Sequence, residues 1–360
     1  MSFTNIPGER ISAKEIPKHT WNADLVYYDG PLISLYRSER GEDVLYVWLD
    51  CTATRHRWCI VPISRESLRG YLNEYYSLHT IFQRAKYLLT FDMGDSFKKT
   101  GVTRTDFENF PEDYRPEEDS YLSADIATPA AIQLKEEVTD SYYLGLDGDE
   151  LYVEELSKIQ RIFQQLYSFH YGFSHAFRTA VRDRLQHYSS QWSGGFSAVN
   201  IFNGMNNVIP SIHRARVTQL TFNSPGHIKL DLLPNLAEQI QISVDTVLDP
   251  ERFKALQELY SRSYSYFRES GISGFESESN RISQNLTSET KATLDNFVRE
   301  FFLIMEWDFQ QHPLRRVETN PLLMLRMLFA YYRRLSQLRN YVVDGKLILG
   351  ASALSSEQVN

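Results

Sequence analysis

Apolar residues alternate with period two over the first hundred residues and return with helical spacing beyond residue 150. The alternating runs predict strands at residues 24–28, 31–37, 44–49 and 57–63, and Asp29-Gly30 between the first two is a strong hairpin signal. In the run 44–49 both alternate sets of side chains are apolar, so this strand is predicted to be central. The pattern indicates an antiparallel meander.

Two short helices and a closing strand complete this first region. Ser64 and Ser77 each precede an apolar helical pattern and predict N-caps, the second helix ending near Ala85. Residues 86–93 predict the closing strand. The sequence therefore predicts an antiparallel β-rich α+β domain at residues 24–93, preceded by an extended N-terminal arm at residues 1–23.

Residues 94–140 differ from what precedes them because glycine and proline interrupt a stretch dense in acidic side chains. From Asp92 to Glu155 there are eighteen Asp or Glu against five Lys or Arg, in a chain of net charge −8. We predict an acidic linker or insert here, either a solvated connection or a segment that binds a basic partner. The overall charge opposes a general attraction to phosphate backbones.

The remainder is predicted to be a mainly helical domain at residues 141–350, with a tail at 351–360. It contains one clear β-hairpin, because the runs 216–222 and 227–232 flank the turn Asn223-Ser224-Pro225-Gly226. A second hairpin is predicted from the runs 141–146 and 151–153. Helices are predicted at residues 152–169, 174–188, 235–247, 250–268 and 320–343, with another along the stripe from Leu294 to Asp308. The predicted fold class is α+β.

The helix beginning at Asn320-Pro321 is apolar on nearly every side, which indicates either a core helix or an oligomer seam. Aromatic residues make up 13% of the chain, with 22 Tyr and 21 Phe. Such side chains serve large cores and also protein interfaces. Both features favour a protein that works by contact with another protein subunit or with copies of itself.

One hexapeptide carries a chemical interpretation. Arg182-Asp183-Arg184-Leu185-Gln186-His187 lies on a predicted helix and resembles the signature of HEPN ribonucleases. The resemblance implies a helical dimer that pairs two such motifs to cleave RNA without metal. His187 would then transfer the proton, Arg182 would stabilise the phosphate charge, and Asp183 would orient the histidine.

Other residue combinations predict no metal and no cofactor. His170 and His175 are five apart and do not share a helix face, so they are not a zinc pair. The sequence Asp147-Gly148-Asp149-Glu150 resembles the opening of a calcium loop but lacks the required Gly and distal Glu. Asp125, Gln133 and Lys135 echo a restriction-type nuclease core without clear strands around them.

The chain shows no signal segment after Met1 and no run of about 18 apolar residues, which predicts a cytoplasmic location and no membrane contact. Cys51 and Cys59 flank a predicted hairpin turn, where their thiols could lie near one another. In a reducing compartment they are expected to be free.

Two segments resemble an uncharacterised bacterial family. The first comprises Trp58-Cys59-Ile60-Val61-Pro62-Ile63-Ser64 and, after a helix, Ser77-Leu78-His79-Thr80-Ile81-Phe82. The second is Thr221-Phe222-Asn223-Ser224-Pro225-Gly226-His227-Ile228. Proteins of this two-domain kind accompany prophage and defence genes, so the resemblance implies a role in bacterial antiviral conflict. Our expectation is a non-catalytic protein-binding subunit or regulator; the alternative is a metal-independent endoribonuclease using Arg182 and His187.

Overall fold

The computed structural model describes residues 3–94, 98–146, 151–190, 199–221, 226–270, 272, 286–308 and 312–350. The chain divides into two units. The first unit comprises Met1–Val138 and Pro210–His213, and the second comprises Thr139–Ile209 and Arg214–Asn360. The fold is α+β, as predicted, with an antiparallel sheet in each unit.

The sheet of the first unit contains the predicted meander. Its strands are β1 (Glu9–Arg10), β2 (His19–Tyr27), β3 (Pro31–Ser38), β4 (Asp43–Cys51), β5 (Arg55–Ile63), β6 (Leu88–Gly94) and β7 (Lys99–Thr105). They lie in the order β1-β7-β6-β5-β4-β3-β2, and all pairs are antiparallel. Part of the predicted N-terminal arm is structured, because it supplies β1 and the start of β2.

Strand β4 is central and apolar on both faces, as its sequence predicts. Leu45 and Val47 belong to one buried cluster, whereas Val44 and Tyr46 belong to another on the opposite face. The two cysteines lie on neighbouring strands but at different register positions. Cys51 of β4 pairs with His56, and Cys59 of β5 pairs with Val47. Both thiols are free, but they do not lie opposite one another.

Helices α1 (Arg65–Leu72) and α2 (Leu78–Arg84) begin where the capping residues predict. The hydroxyl of Ser64 accepts a hydrogen bond from the Ser67 amide at 3.1 Å, and that of Ser77 accepts from the Thr80 amide at 3.3 Å. These bonds satisfy amides that have no partner inside the helix.

Residues 94–140 differ from the predicted acidic linker. They supply strand β7 and helix α3 (Pro129–Glu136), and both belong to the first unit. Their apolar side chains are sparse but buried, namely Val102, Phe110, Tyr114, Leu122, Ala131 and Leu134. The prediction weighed the acidic composition and missed that pairing with β6 and a few buried anchors are enough to order the segment.

Helices dominate the second unit. They are α4 (Val153–Ser174), α5 (Thr179–Ser190), α6 (Val199–Met205), α7 (Pro234–Leu248), α8 (Pro250–Glu269), α9 (Ser288–Ile304), α10 (Leu314–Val317) and α11 (Pro321–Val343). In α11, Leu325, Leu328, Leu335 and Leu338 are fully buried, and aromatic residues of the same helix join them. The all-round apolar character of α11 is therefore that of a core helix, so it gives no support to an oligomer seam.

The sheet of the second unit consists of β8 (Asp140–Leu146), β9 (Arg216–Thr221), β10 (Gly226–Leu232) and β11 (Ile348–Leu349), in the order β11-β8-β10-β9. The hairpin predicted at 216–232 is confirmed as β9 and β10, and its turn lies outside the described residues. The other predicted hairpin is wrong. Residue 153 begins α4, and β8 pairs instead with β10 and β11, which are distant in sequence.

Across the described ranges, no helix combines the length and the apolar character needed to cross a bilayer.

Candidate functional site

The residues of the HEPN-like motif lie on α5, and Arg182, Asp183 and His187 are all exposed. Arg182 Nε lies 3.8 Å from Asp183 Oδ1. Asp183 and His187 are one turn apart on the same side, but Arg182 and His187 point about 140° apart because a helix rotates roughly 100° per residue. One helix therefore does not bring the two proposed catalytic groups together, and the nuclease assignment stays a prediction.

The residues that echo a restriction-type core have other roles. Gln133 and Lys135 lie on helix α3, where Gln133 Nε2 donates to Glu137 Oε1 at 2.7 Å and Lys135 Nζ lies 2.8 Å from Glu74 Oε1. That nuclease core places its residues on strands, so this placement does not match it. Asp147, Asp149 and Glu150, the calcium-like residues, lie outside the described part of the chain.

Ionisable side chains meet in a pocket of the second unit that sequence patterns did not reveal. The pocket has a volume of about 240 Å³ and is lined by His170, Gln239, Ser243, Trp307 and His312, together with phenylalanines. His170 Nε2 lies 2.9 Å from the hydroxyl of Tyr331. His312 stacks on the indole of Trp307 with ring centroids 4.7 Å apart.

Burial lowers the pKa of His170 to about 3, helped by the nearby His312, and it lowers the pKa of His312 to about 4. Both rings are therefore neutral near pH 7. Ser243 Oγ donates to the Gln239 carbonyl at 2.8 Å and also forms a hydrogen bond with Tyr331.

The ring of His170 has a second hydrogen-bond partner. The Gln239 side chain also forms a hydrogen bond with the ring, and this bond favours the protonated form of His170. His312 Nδ1 accepts from the Leu314 amide at 3.2 Å. The hydrogen-bonding capacity of His170 is thus used within the unit, which favours a structural role over acid–base catalysis.

The feature with the clearest potential for contact is strand β9. Among the described residues it has a partner on one side only, β10, so its other edge carries backbone groups available to another strand. Its first five residues are all exposed, including Val217 at 48% and Leu220 at 47%.

A bulge determines where these two apolar side chains point. Leu220 pairs with Ile228 and Val217 pairs with Leu230, while Thr218 is the extra residue between them. Directly opposed residues share a face, and Ile228 and Leu230 are buried. Val217 and Leu220 therefore both lie on the core face of the sheet although they are three positions apart.

A groove of about 320 Å³ runs beside this edge, between α4 and the sheet. Its apolar lining comprises Leu144, Phe163, Ala215, Val217 and Leu230, and Ser157, Gln160, Arg161 and Gln164 of α4 line it as well. Val217 thus belongs both to the exposed edge and to the groove. We call Val217, Leu220 and this groove the β9 surface.

Sequence analysis identified the β9 hairpin but missed this surface. Plain alternation puts residues three apart on opposite faces, and the bulge that reverses this has no signal in a single sequence.

No family model matches this chain, and comparisons with curated proteins and with solved structures find no match.

Proposed function

We propose that this protein functions as a binding subunit and that its β9 surface joins a second copy of the same chain. The observation that carries the proposal is the exposed outer edge of β9 with two half-exposed apolar side chains on one face. Addition of a strand to such an edge supplies main-chain hydrogen bonds and lets side chains pack across the seam.

The sequence of β9 is complementary to itself. In an antiparallel pair of two β9 strands centred between Thr218 and Gln219, Val217 of each copy faces Leu220 of the other. Both side chains lie on the core face, so the two contacts would bury apolar surface together.

Charge also favours this pairing. The same register places Arg216 opposite Thr221 of the second copy, so like charges do not meet. Arg216 is already within 3.6 Å of Asp231 in its own chain. A two-fold arrangement uses one patch twice, which is the commonest way in which identical subunits associate.

The resemblance to proteins that accompany prophage and defence genes extends the proposal to its setting. We infer a subunit or regulator of a bacterial antiphage or prophage conflict system, with no catalytic step of its own.

The mass of the protein in solution tests the proposed dimer. Light scattering after size exclusion should give twice 42.0 kDa for the parent and 42.0 kDa for Leu220→Asp, because a carboxylate at the seam cannot be desolvated cheaply. Leu303→Asp is the matched control, since Leu303 on α9 is 78% exposed and lies outside the β9 surface. This control should remain dimeric. A monomeric parent at about 100 μM, where even a weak specific dimer is populated, would refute the proposal, as would a dimeric Leu220→Asp variant.

A further inference from the structure

A basic pocket lies at one end of the sheet in the first unit. Its volume is about 540 Å³, within the usual range for small-molecule sites. Four cationic side chains line it: Arg40 in the turn between β3 and β4, Arg65 at the start of α1, Arg84 at the end of α2, and Lys86 just before β6.

The acidic side chains of the pocket do not cancel this charge. Asp43 is buried, and its Oδ1 lies 3.2 Å from Arg37 Nη1, so its charge is already matched. Its Oδ2 accepts from the Ser211 amide at 2.9 Å. Among the described residues, Glu42 is the one other carboxylate in the lining, which leaves a clear positive excess in a chain of net charge −8.

The pocket wall also contains a neutral donor, Ser211. The Ser211 hydroxyl is shielded from solvent and meets no hydrogen-bond partner among the residues that the structure describes. Helix α1 begins in the pocket wall with Ser64 and Arg65, so the positive end of its dipole adds to the field. Arg84 is held by its guanidinium stacking 4.0 Å from the ring centroid of Tyr76.

We propose that this pocket binds the phosphate group of a small phosphorylated molecule. Arginine and lysine charge, a hydroxyl without a partner and a helix N-terminus are the groups that recognise phosphate in proteins. The volume exceeds that of phosphate alone, which points to a ligand of about mononucleotide size. The site lies wholly in the first unit and is independent of the β9 surface.

Isothermal titration with inorganic phosphate and with adenosine monophosphate tests the proposal on the full chain. We expect both probes to bind and the nucleotide to bind more tightly. Arg65→Gln and Lys86→Gln should each weaken binding at least about fivefold, the effect of losing one charge-assisted hydrogen bond. The matched control is Lys98→Gln, which removes a charge from an exposed lysine of the same unit outside the pocket and should bind like the parent.

Three results would overturn the proposal. The first is the absence of any heat of binding from either probe at about 10 mM, because a specific site should have a dissociation constant below that concentration. The second is equal weakening by Lys98→Gln, which would mean a general charge effect. The third is unchanged binding in Arg65→Gln and Lys86→Gln with normal melting temperatures, which would place the bound phosphate elsewhere. Equal affinity for the two probes would exclude the larger ligand.

Discussion

The edge strands of the two sheets differ in how well they are protected against pairing with another strand. In the first unit one edge is β1, which has only two residues, Glu9 and Arg10, both charged and exposed. The other edge is β2, which has three register irregularities and whose outer side is occupied by Thr128. The Thr128 amide donates to the Leu25 carbonyl at 3.0 Å, and its hydroxyl donates to the Asp24 carbonyl at 2.5 Å.

The second sheet has one short edge, the two-residue β11, and one long edge, β9, with six residues. Short, charged, irregular or covered edges are the usual protections against unwanted pairing. The first sheet uses all four. Among the described residues, the long outer edge of β9 has no cover, although the strand contains a bulge, and it carries two half-exposed apolar side chains. It is therefore less protected than either edge of the first sheet, which is why we assign it to a specific contact.

Acid should produce the largest difference in stability between the two units. The pKa values of His170 and His312 lie below the ordinary value of 6.5, so the unfolded second unit binds more protons than the folded one as pH falls below 6.5. The free energy of unfolding of the second unit should reach its full value above about pH 7.5. At pH 5 it should be lower by about 4 kcal/mol, roughly 2 kcal/mol from each ring. In the first unit, burial lowers the pKa of His19 to about 4, but His19 is partly exposed to solvent, so its contribution should be smaller than that of either ring of the second unit.

Hydrogen exchange followed by mass spectrometry at pH 8 and pH 5 reports each unit separately. His170→Gln should reduce the pH-dependent loss in the second unit by about half. An identical pH profile in parent and His170→Gln would contradict the buried neutral histidine.

Leucine truncation should distinguish the centre of the first sheet from the edge of the second. Leu45 is fully buried on β4, so Leu45→Ala should cost about 3 kcal/mol of unfolding free energy through lost burial and a cavity. Leu220→Ala on half-exposed β9 should cost less than about 1 kcal/mol in the monomer. Urea denaturation at low protein concentration gives both values. A large loss from Leu220→Ala under those conditions would show that β9 is part of the core.

Removal of the Thr128 hydroxyl from the outer side of β2 should make the first sheet more prone to self-association, as we propose for the second sheet. Thr128→Val keeps the side-chain shape but removes the hydroxyl that caps α3 and bonds the Asp24 carbonyl. We expect a loss of about 1–2 kcal/mol and increased self-association at high protein concentration. Thr293→Val is a suitable control, because the Thr293 hydroxyl donates to the Glu289 carbonyl of the same helix, α9. Equal behaviour of the two variants in sedimentation would mean that Thr128 does not protect the edge.

Local patterns predicted the elements whose side chains carry the signal themselves. Alternation found β3, β4 and β5, and the serine caps found α1 and α2. The Thr128-Pro129 sequence is also a cap followed by a first-turn proline, so α3 was readable, but the acidic composition around it outweighed that signal.

Pairing between strands that are not joined by a local turn could not be predicted. β7 is mostly polar, with Val102 and Thr103 buried near its middle, and its strand state comes from pairing with β6. The strand at residues 141–146 was predicted, but its partner β10 was not, because β10 lies about ninety residues later and no local turn signal connects the two. The pocket around His170 is lined by residues of α4, of α7 and of the segment between α9 and α10, and the β9 surface depends on a bulge, so both exist only in the tertiary fold.

The smallest effect is expected from a substitution in the HEPN-like motif on α5. His187 is exposed on α5, and Arg182 points to another side of that helix. Under the binding proposal, His187→Ala should change the unfolding free energy by less than about 0.5 kcal/mol and leave the dimer intact. RNA incubated with the parent in EDTA should remain uncut. Cleavage by the parent and not by His187→Ala would instead establish the metal-independent nuclease, and it would mean that a second copy supplies the convergence that one α5 helix lacks.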